Sequence, residues 1–282
     1  MSNKRVAIQG VEGCFHDAAA REFFSGEKVE VVPFDTFPAM VAAIRRDPSL
    51  LGIMAIENTI AGSLLQNHEL IHVNGLRIIG EYKKRIEHAL VAIKGQTVDD
   101  ITEVNSHPMA LMQCEEFLMR HPRMKMIEKF DTAGSAREIA EGRIMGHAAV
   151  CSSLAAEIYG LEVLVNGIET NKRNFTRFLI IAHPESDVVG TGMGVADKSS
   201  IVFTLPHNQG ALSKVLTILA FYDLNLTKIQ SFPIIGREWE YKFYVDLAFD
   251  DYGRYLQGLE AARPLTSDFK ILGEYASCRN II

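Results

Sequence analysis

Several short stretches of this chain share one arrangement. An apolar run ends, a turn of small or polar residues follows, and a helical pattern begins. They are Gly10-Val11-Glu12-Gly13, Glu57-Asn58-Thr59-Ile60-Ala61-Gly62-Ser63, Ser106-His107-Pro108, Asp131-Thr132-Ala133-Gly134-Ser135 and Cys151-Ser152-Ser153. At the strand ends of an open α/β sheet, such turns line the ligand crevice. The helix N-termini behind them present free N–H groups and positive dipole ends. Turns of this kind converging on one cleft bind a small anion through hydrogen bonds, without a basic surface. One Ser or Asp at a helix start is ordinarily a cap, so the combination carries the reading, not any single residue. Ser63, Ser106, Thr132 and Ser135 are its candidate donors. Glu57 stands apart, because a carboxylate in an anion site must be paired, protonated or a base.

A further stretch, Asn174-Phe175-Thr176-Arg177-Phe178, reads as a strand. Alternation puts Asn174 and Thr176 on one face and Phe175 and Arg177 on the other. Arg177 is then either half of a structural ion pair or a carboxylate clamp. His16 and His107 stand at helix starts, but no H-x-x-x-H or acidic partner spacing accompanies them, and His68, His72, His88 and His147 are scattered. No metal site is expected. Cys14, Cys114, Cys151 and Cys278 lie far apart with no C-x-x-C. They read as reduced thiols of a cytoplasmic protein.

The elements that must position these residues follow from length and pattern. At 282 residues, 48% hydrophobic and 23% charged, the chain is an ordinary globular protein of about two domains. No apolar run approaches the roughly 18 residues of a membrane helix, and the start runs straight into a strand without a secretory segment. Residues 198–282 carry nine charges of each sign, so the net −6 sits in residues 1–197. Nucleic acid is therefore not an expected partner, and an anion must be held by local donors.

Strands are expected at 4–9, 29–34, 52–57, 76–82, 86–93, 101–105, 124–130, 147–151, 163–168 and 175–182. Helices are expected at 15–24, 37–46, 109–121, 133–142 and 153–159. The alternation predicts mostly parallel sheets covered on both faces. So many strands require two α/β lobes over residues 1–183, with crossovers near 75–82 and 167–174 and a ligand cleft between lobes. Residues 184–197 read as a linker, and their Gly190, Gly192 and Gly194 do not have the dinucleotide spacing. Residues 198–282 read as β-α-β-β-α-β, with strands 200–206, 225–235, 241–249 and 269–276 and helices 211–222 and 252–263. That order is ferredoxin-like.

Over essentially its full length the chain resembles the prephenate dehydratases. The resemblance lies in Gly10-x-x-Gly13-x-Phe15, Ile56-Glu57-Asn58-Thr59-x-x-Gly62-Ser63 and Ser106-His107-Pro108-x-Ala110-Leu111-x-Gln113-Cys114. It continues in Tyr159-Gly160-Leu161 and Asn174-x-Thr176-Arg177-Phe178. It implies a two-lobed, periplasmic-binding-protein-like catalytic domain and a C-terminal ACT regulatory domain. It also implies conversion of prephenate to phenylpyruvate, water and carbon dioxide without metal or organic cofactor. Thr176 occupies the family's catalytic position, where its hydroxyl would donate to the leaving oxygen. Asn58, Ser106, Gln113 and Thr132 would orient substrate, and Glu57 would either store a proton or hold its loop. In the ACT domain, Asn208, Gly210, Ala211 and Leu212 form the turn that would receive the effector L-phenylalanine, with Gln230 and Ser231 on the following strand. The resemblance further implies a dimer or tetramer, because pairing covers ACT sheet edges.

Two segments depart from the family pattern. Val11, Cys14 and His16 replace Pro, Thr and Ser of its first loop, and Gln230-Ser231-Phe232-Pro233 replaces E-S-R-P. Arogenate as substrate, a non-catalytic solute-binding protein and an ACT sensor are the competing readings.

Overall fold

The computed structural model describes residues 3–188, 195–234, 236–237 and 240–278. Gly190, Gly192 and Gly194, together with Ile235 of the expected 225–235 strand, lie outside the described residues. In chain order the first lobe forms β1 (Lys4–Gln9), α1 (Phe15–Phe23), β2 (Val29–Phe34), α2 (Phe37–Arg46), β3 (Leu51–Asn58), β4 (Gly62–Ser63), α3 (Leu65–Val73) and β5 (Arg77–Arg85). The second lobe forms β6 (Ala89–Ala92), β7 (Glu103–Ser106), α4 (Pro108–Gln113), α5 (Glu115–Met119), β8 (Lys125–Glu128), α6 (Thr132–Gly142), β9 (His147–Cys151), α7 (Ser153–Tyr159) and β10 (Glu162–Val165). The chain then returns to the first lobe as β11 (Phe175–Ala182).

The first sheet has the order β2-β1-β3-β11-β5 and the second β10-β6-β9-β7-β8. Both are mixed, where the alternation predicts mostly parallel sheets. β11 runs antiparallel to β3 and β5, and β6 antiparallel to β9 and β10. The reason is the double crossing: a strand that returns from the other lobe inserts between existing strands without a covering helix. The first crossover also falls later than 75–82. β5 pairs with β11 from Arg77↔Ala182 to Arg85↔Phe175, so the chain leaves the lobe only after Arg85. The outgoing and returning segments therefore run side by side. The expected 109–121 helix breaks at Cys114 into α4 and α5. The sequence pattern missed α3, which buries Asn67 and His68 beside Ile71 and so shows no apolar stripe.

A buried cluster runs from Val6, Ile8 and Phe178 of the first lobe to Val91 and Cys151 of the second, so the two lobes share a core. No described helix is long and apolar enough to cross a membrane.

The C-terminal unit is β12 (Lys198–Thr204), α8 (Ala211–Phe221), β13 (Asn225–Pro233), β14 (Tyr241–Ala248), α9 (Tyr252–Ala262) and β15 (Ser267–Tyr275). Its sheet has the order β13-β14-β12-β15, the ferredoxin-like arrangement. One face carries α8 and α9 over Ile201, Phe203, Val245 and Leu247, with Tyr255 of α9 buried among them. The opposite face packs on the first lobe, where Val202, Tyr244, Leu272 and Tyr275 join Ile71, Ile78 and Leu179. Contact is so close that a Cβ on Gly273 of β15 would lie 2.0 Å from the Ile78 carbonyl oxygen.

Arg177 sits in that junction. Its Nε donates to Glu81 Oε2 at 2.7 Å, Nη1 to Asp246 Oδ2 at 2.5 Å and Nη2 to Tyr275 Oη at 3.1 Å. Lys198 Nζ adds a bond to Glu81 Oε2 at 2.8 Å, and Ser200 Oγ one to Asp246 Oδ1 at 2.5 Å. Burial pushes the Glu81 and Asp246 carboxyls up. The Arg177 and Lys198 charges, with the hydrogen bonds, outweigh it and hold both below their ordinary values.

Removing one partner of a buried pair strands the other charge. Asp246→Ala should therefore lower the unfolding free energy by about 3–5 kcal/mol in urea denaturation. A carboxyl depressed in the folded state contributes stability above its unfolded pKa of about 4, and that stability is lost as pH falls through the folded value. Wild-type stability should drop in that acidic window, and Asp246→Asn should flatten the drop. Equal stability of Asp246→Ala and wild type would show the cluster to be inert.

Candidate active site

β3 and β11 pair in register with Thr176 opposite Asn58 and Arg177 opposite Glu57. Side chains alternate across a strand, so each pair shares one face and the two pairs take opposite faces. Thr176 and Asn58 belong to the side of the second lobe. Glu57 and Arg177 belong to the side of the C-terminal sheet.

On the cleft side, a chain of carboxamides runs from one lobe to the other. Asn58 Oδ1 accepts the backbone N–H groups of Ile60 at 2.9 Å and Ala61 at 2.8 Å. That turn is closed by the side chain itself, and it fixes which end of the amide is oxygen. Asn58 Nδ2 therefore points the other way, donating to Thr176 Oγ1 at 2.9 Å and Asn174 Oδ1 at 2.8 Å. Asn174 Nδ2 in turn donates to Gln113 Oε1 of α4 at 2.8 Å. The His88 Nε2 lies 2.9 Å from the same Oε1, so it must carry the proton and donate. Burial lowers the His88 imidazole pKa, against the Gln113 hydrogen bond, and favours the neutral ring, in which Nε2–H still donates.

Two free donors result. The Thr176 hydroxyl accepts from Asn58, so its own proton is available to a ligand. Gln113 spends its oxygen on two donors, and its Nε2 has no protein acceptor among the described residues. Thr176 is only 8% exposed, so a group bound there meets these donors with little competing water.

Other expected site residues go elsewhere. Ser106 Oγ donates to Val150 O at 2.6 Å and is fully buried between β7 and β9. Ser135 Oγ donates to Asp131 O at 2.7 Å inside the first turn of α6. Thr132 lines a cavity of about 470 Å³ with Gln9, His107, Lys129 and Asp131. Ser63 and Glu57 both meet Lys228 of β13, each at 2.9 Å from Nζ. The Glu57 side chain is 45% exposed, so it lacks the burial a proton reservoir needs, and the loop-holding alternative is the one its contacts support. Arg177 is the structural ion pair of its two readings, because its guanidinium is occupied on the far face.

Three of the expected turns spend their polar groups on caps. Asp131 Oδ1 accepts Gly134 N–H at 2.7 Å, His107 Nδ1 accepts Met109 N–H at 3.2 Å, and Ser152 Oγ accepts Ala155 N–H at 3.1 Å. Ser152 also donates to Gly13 O at 2.5 Å, tying the first loop to the second lobe. Sequence reasoning missed His88, and no local signal marks it: its role depends on Gln113, 25 positions away. No group of three or more metal-ligating side chains occurs among the described residues.

In the C-terminal unit, Gly210 takes a φ of +73° at the start of α8, a conformation that favours glycine. Asn208 is exposed, while Ala211 and Leu212 are half-buried behind it. Gln230 and Ser231 are not beside this turn. They lie on β13, separated from β12 by β14, about 10 Å across the sheet. Phe232, in the register that places Gln230 and Lys228 toward the first lobe, packs against the shared core there.

The family model for prephenate dehydratase matches residues 6–186. Arogenate dehydratase 5, chloroplastic, from Arabidopsis thaliana is 36% identical, over 97% of this chain and 68% of its own. Among solved structures, a quorum-quenching acylase, GqqA, is 29% identical, with a TM-score of 0.86 over 97% of this chain and 98% of that one. A prephenate dehydratase in complex with L-Phe from Arthrobacter aurescens is 28% identical, with a TM-score of 0.84 over 96% and 89%.

His16, which replaces a serine of the family pattern, tests the electrostatics beside the cleft. Its Nε2 lies 3.3 Å from the Ala55 N–H, and its ring packs edge-on between Phe37 and Phe178. The N–H can only donate, so the ring is neutral, and burial lowers its pKa from 6.5 to about 4. A histidine depressed in the folded state takes up its proton first in the unfolded chain, so its contribution is lost as pH falls from 6.5 toward 4. NMR titration of the ring should give a midpoint near that lower value, and a midpoint above 6 would refute the assigned environment.

Proposed function

The chain belongs to the prephenate dehydratase family, and we propose that it converts prephenate to phenylpyruvate, water and carbon dioxide. The observation that carries this reading is the Thr176 hydroxyl. Asn58 supplies it with a donor, so its own proton is left for a leaving oxygen.

In the reaction, the bond from the ring to its carboxylate breaks. That electron pair enters the ring, the C4–oxygen bond breaks, and the ring becomes aromatic. The departing oxygen gains negative charge, and a hydrogen bond from Thr176 stabilises that charge as it develops. Thr176 is too weak an acid to give up its proton outright, so the proton that completes water comes from solvent reaching the cleft. The Gln113 Nε2 donor suits an oxygen of the same substrate and fixes its orientation. The ring carboxylate must leave as neutral carbon dioxide, so a tight cation beside it would oppose the reaction. Arg177 faces the opposite side of the sheet and applies no such hold.

Arogenate is the second substrate to be considered. It has the same ring, hydroxyl and carboxylate, and the similarity to a plant arogenate dehydratase favours it. Residues 198–275 serve in this reading as an ACT regulatory domain, and the similarity to a dehydratase complexed with L-Phe supports L-phenylalanine as effector. The turn at Asn208–Leu212 and the edge residues Gln230 and Ser231 are two strands apart in one chain, so a site using both would form between two copies. A dimer or tetramer paired through β13 supplies that geometry. The four cysteines are free thiols, which fits a cytoplasmic setting.

Thr176→Ala should lower kcat roughly 100-fold with KM nearly unchanged, while Thr176→Ser retains most activity. Phenylpyruvate formation from prephenate, run in parallel with phenylalanine formation from arogenate, reads this directly. A near-normal kcat for Thr176→Ala would remove the assigned role.

Titration calorimetry with L-phenylalanine on the same protein should give binding and inhibition together. No heat up to millimolar ligand would remove the effector reading.

A further inference from the structure

A lysine of the C-terminal sheet reaches the hairpin that carries Asn58. Lys228 stands on the edge strand β13, yet its side chain is only 9% exposed. Its Nζ donates to Glu57 Oε2 and to Ser63 Oγ, both at 2.9 Å. These acceptors are register partners on the two legs of the β3–β4 hairpin, Glu57 opposite Ser63 and Asn58 opposite Gly62. The ammonium thus bridges the legs at the residue just before Asn58. β4 has only two residues, and so short a ladder is marginal without outside support. The tip enclosed between the legs contains Ile60 and Ala61, whose N–H groups fix the Asn58 amide.

Burying a lysine costs desolvation that its contacts repay only with good geometry. An ordinary domain contact does not require that the cation satisfy both legs of one hairpin. A lysine that does so restrains their separation, and with it the closed turn at Asn58. Two and three residues further along β13 come Gln230 and Ser231, so a displacement of that strand would be felt at Lys228.

We propose that Lys228 is a positioning residue for the active site. It clamps the 57–63 hairpin and so, through Asn58, sets the aim of the Thr176 hydroxyl. The inference rests on the dehydratase reading for its effect on turnover, but the clamp itself is independent of that reading.

The test uses the full chain carrying Lys228→Met, which keeps the stem and removes the cation, and Lys228→Arg, which keeps the cation. Hydrogen exchange of the Ile60 and Ala61 amides should quicken about tenfold in Lys228→Met and return toward wild type in Lys228→Arg. In the same samples kcat should fall about tenfold with KM within twofold, and Lys228→Arg should recover most of it. Unchanged amide exchange in folded Lys228→Met would overturn the clamp. Quickened exchange with unchanged kcat would overturn the positioning role. If Lys228→Met does not fold, the Glu57→Ala/Ser63→Ala double variant removes both acceptors from the hairpin side and should loosen the same two amides. A wild-type protein inactive on both prephenate and arogenate would refute the dehydratase reading, while the exchange comparison would still decide the clamp.

Discussion

Two backbone N–H groups, those of Ile60 and Ala61, point at Asn58 Oδ1 and leave its amide no freedom to flip. The remaining cleft polarity follows from that constraint. The Asn58 NH2 can only donate, so Thr176 and Asn174 must accept. Asn174 must then donate to Gln113, whose oxygen also takes the His88 proton. A carboxamide is nearly symmetric in shape but not in hydrogen bonding, so a chain of them transmits direction. Its two ends leave a Thr176 hydroxyl proton and a Gln113 amide hydrogen without a protein acceptor among the described residues.

The back of the same strand pair does opposite work. One residue from Thr176, Arg177 is held in a buried cluster with Glu81, Asp246, Lys198 and Tyr275. Charges buried this deeply are costly unless each finds partners, and here the partners come from both the first lobe and the C-terminal sheet. The arrangement keeps a guanidinium out of the cleft and welds the added domain to the strand that bears the catalytic candidate. A single strand thereby presents a neutral, hydrogen-bonding face toward the second lobe and an ionic face to the second domain. Lys228 extends the ionic face to the neighbouring hairpin, and Phe232 adds apolar contact beside it. The departure from the E-S-R-P pattern at Gln230 and Phe232 thus lies on the surface that meets the first lobe.

Much of this was legible in the sequence. Continuous apolar runs at 4–9, 147–151 and 175–182 and the helix at 153–159 appear with the expected bounds, because local periodicity and capping decide them. The six-element order of the C-terminal unit follows from the same signals. The alternation of Asn174 and Thr176 against Arg177 is likewise a property of any strand, and it correctly separates them onto two faces.

What the pattern could not supply was partnership. Whether a Ser at a strand end faces ligand or bonds its neighbour depends on atoms far away in sequence, as Ser106 and Val150 show. Glu57 and Arg177 were each open to two roles until the C-terminal sheet placed Lys228 and Asp246 against them. His88 and α3 carried no local mark at all, since one acts through a glutamine on another element and the other buries polar side chains. The sequence by itself determined most of the elements, their order and the alternation of faces along each strand, because these depend on neighbours a few positions away. Only the tertiary structure decided which polar groups remain unpaired and free to meet a ligand. Hydrogen-bond satisfaction is a sum over every donor and acceptor within about 3 Å, and that sum exists only once distant segments have met.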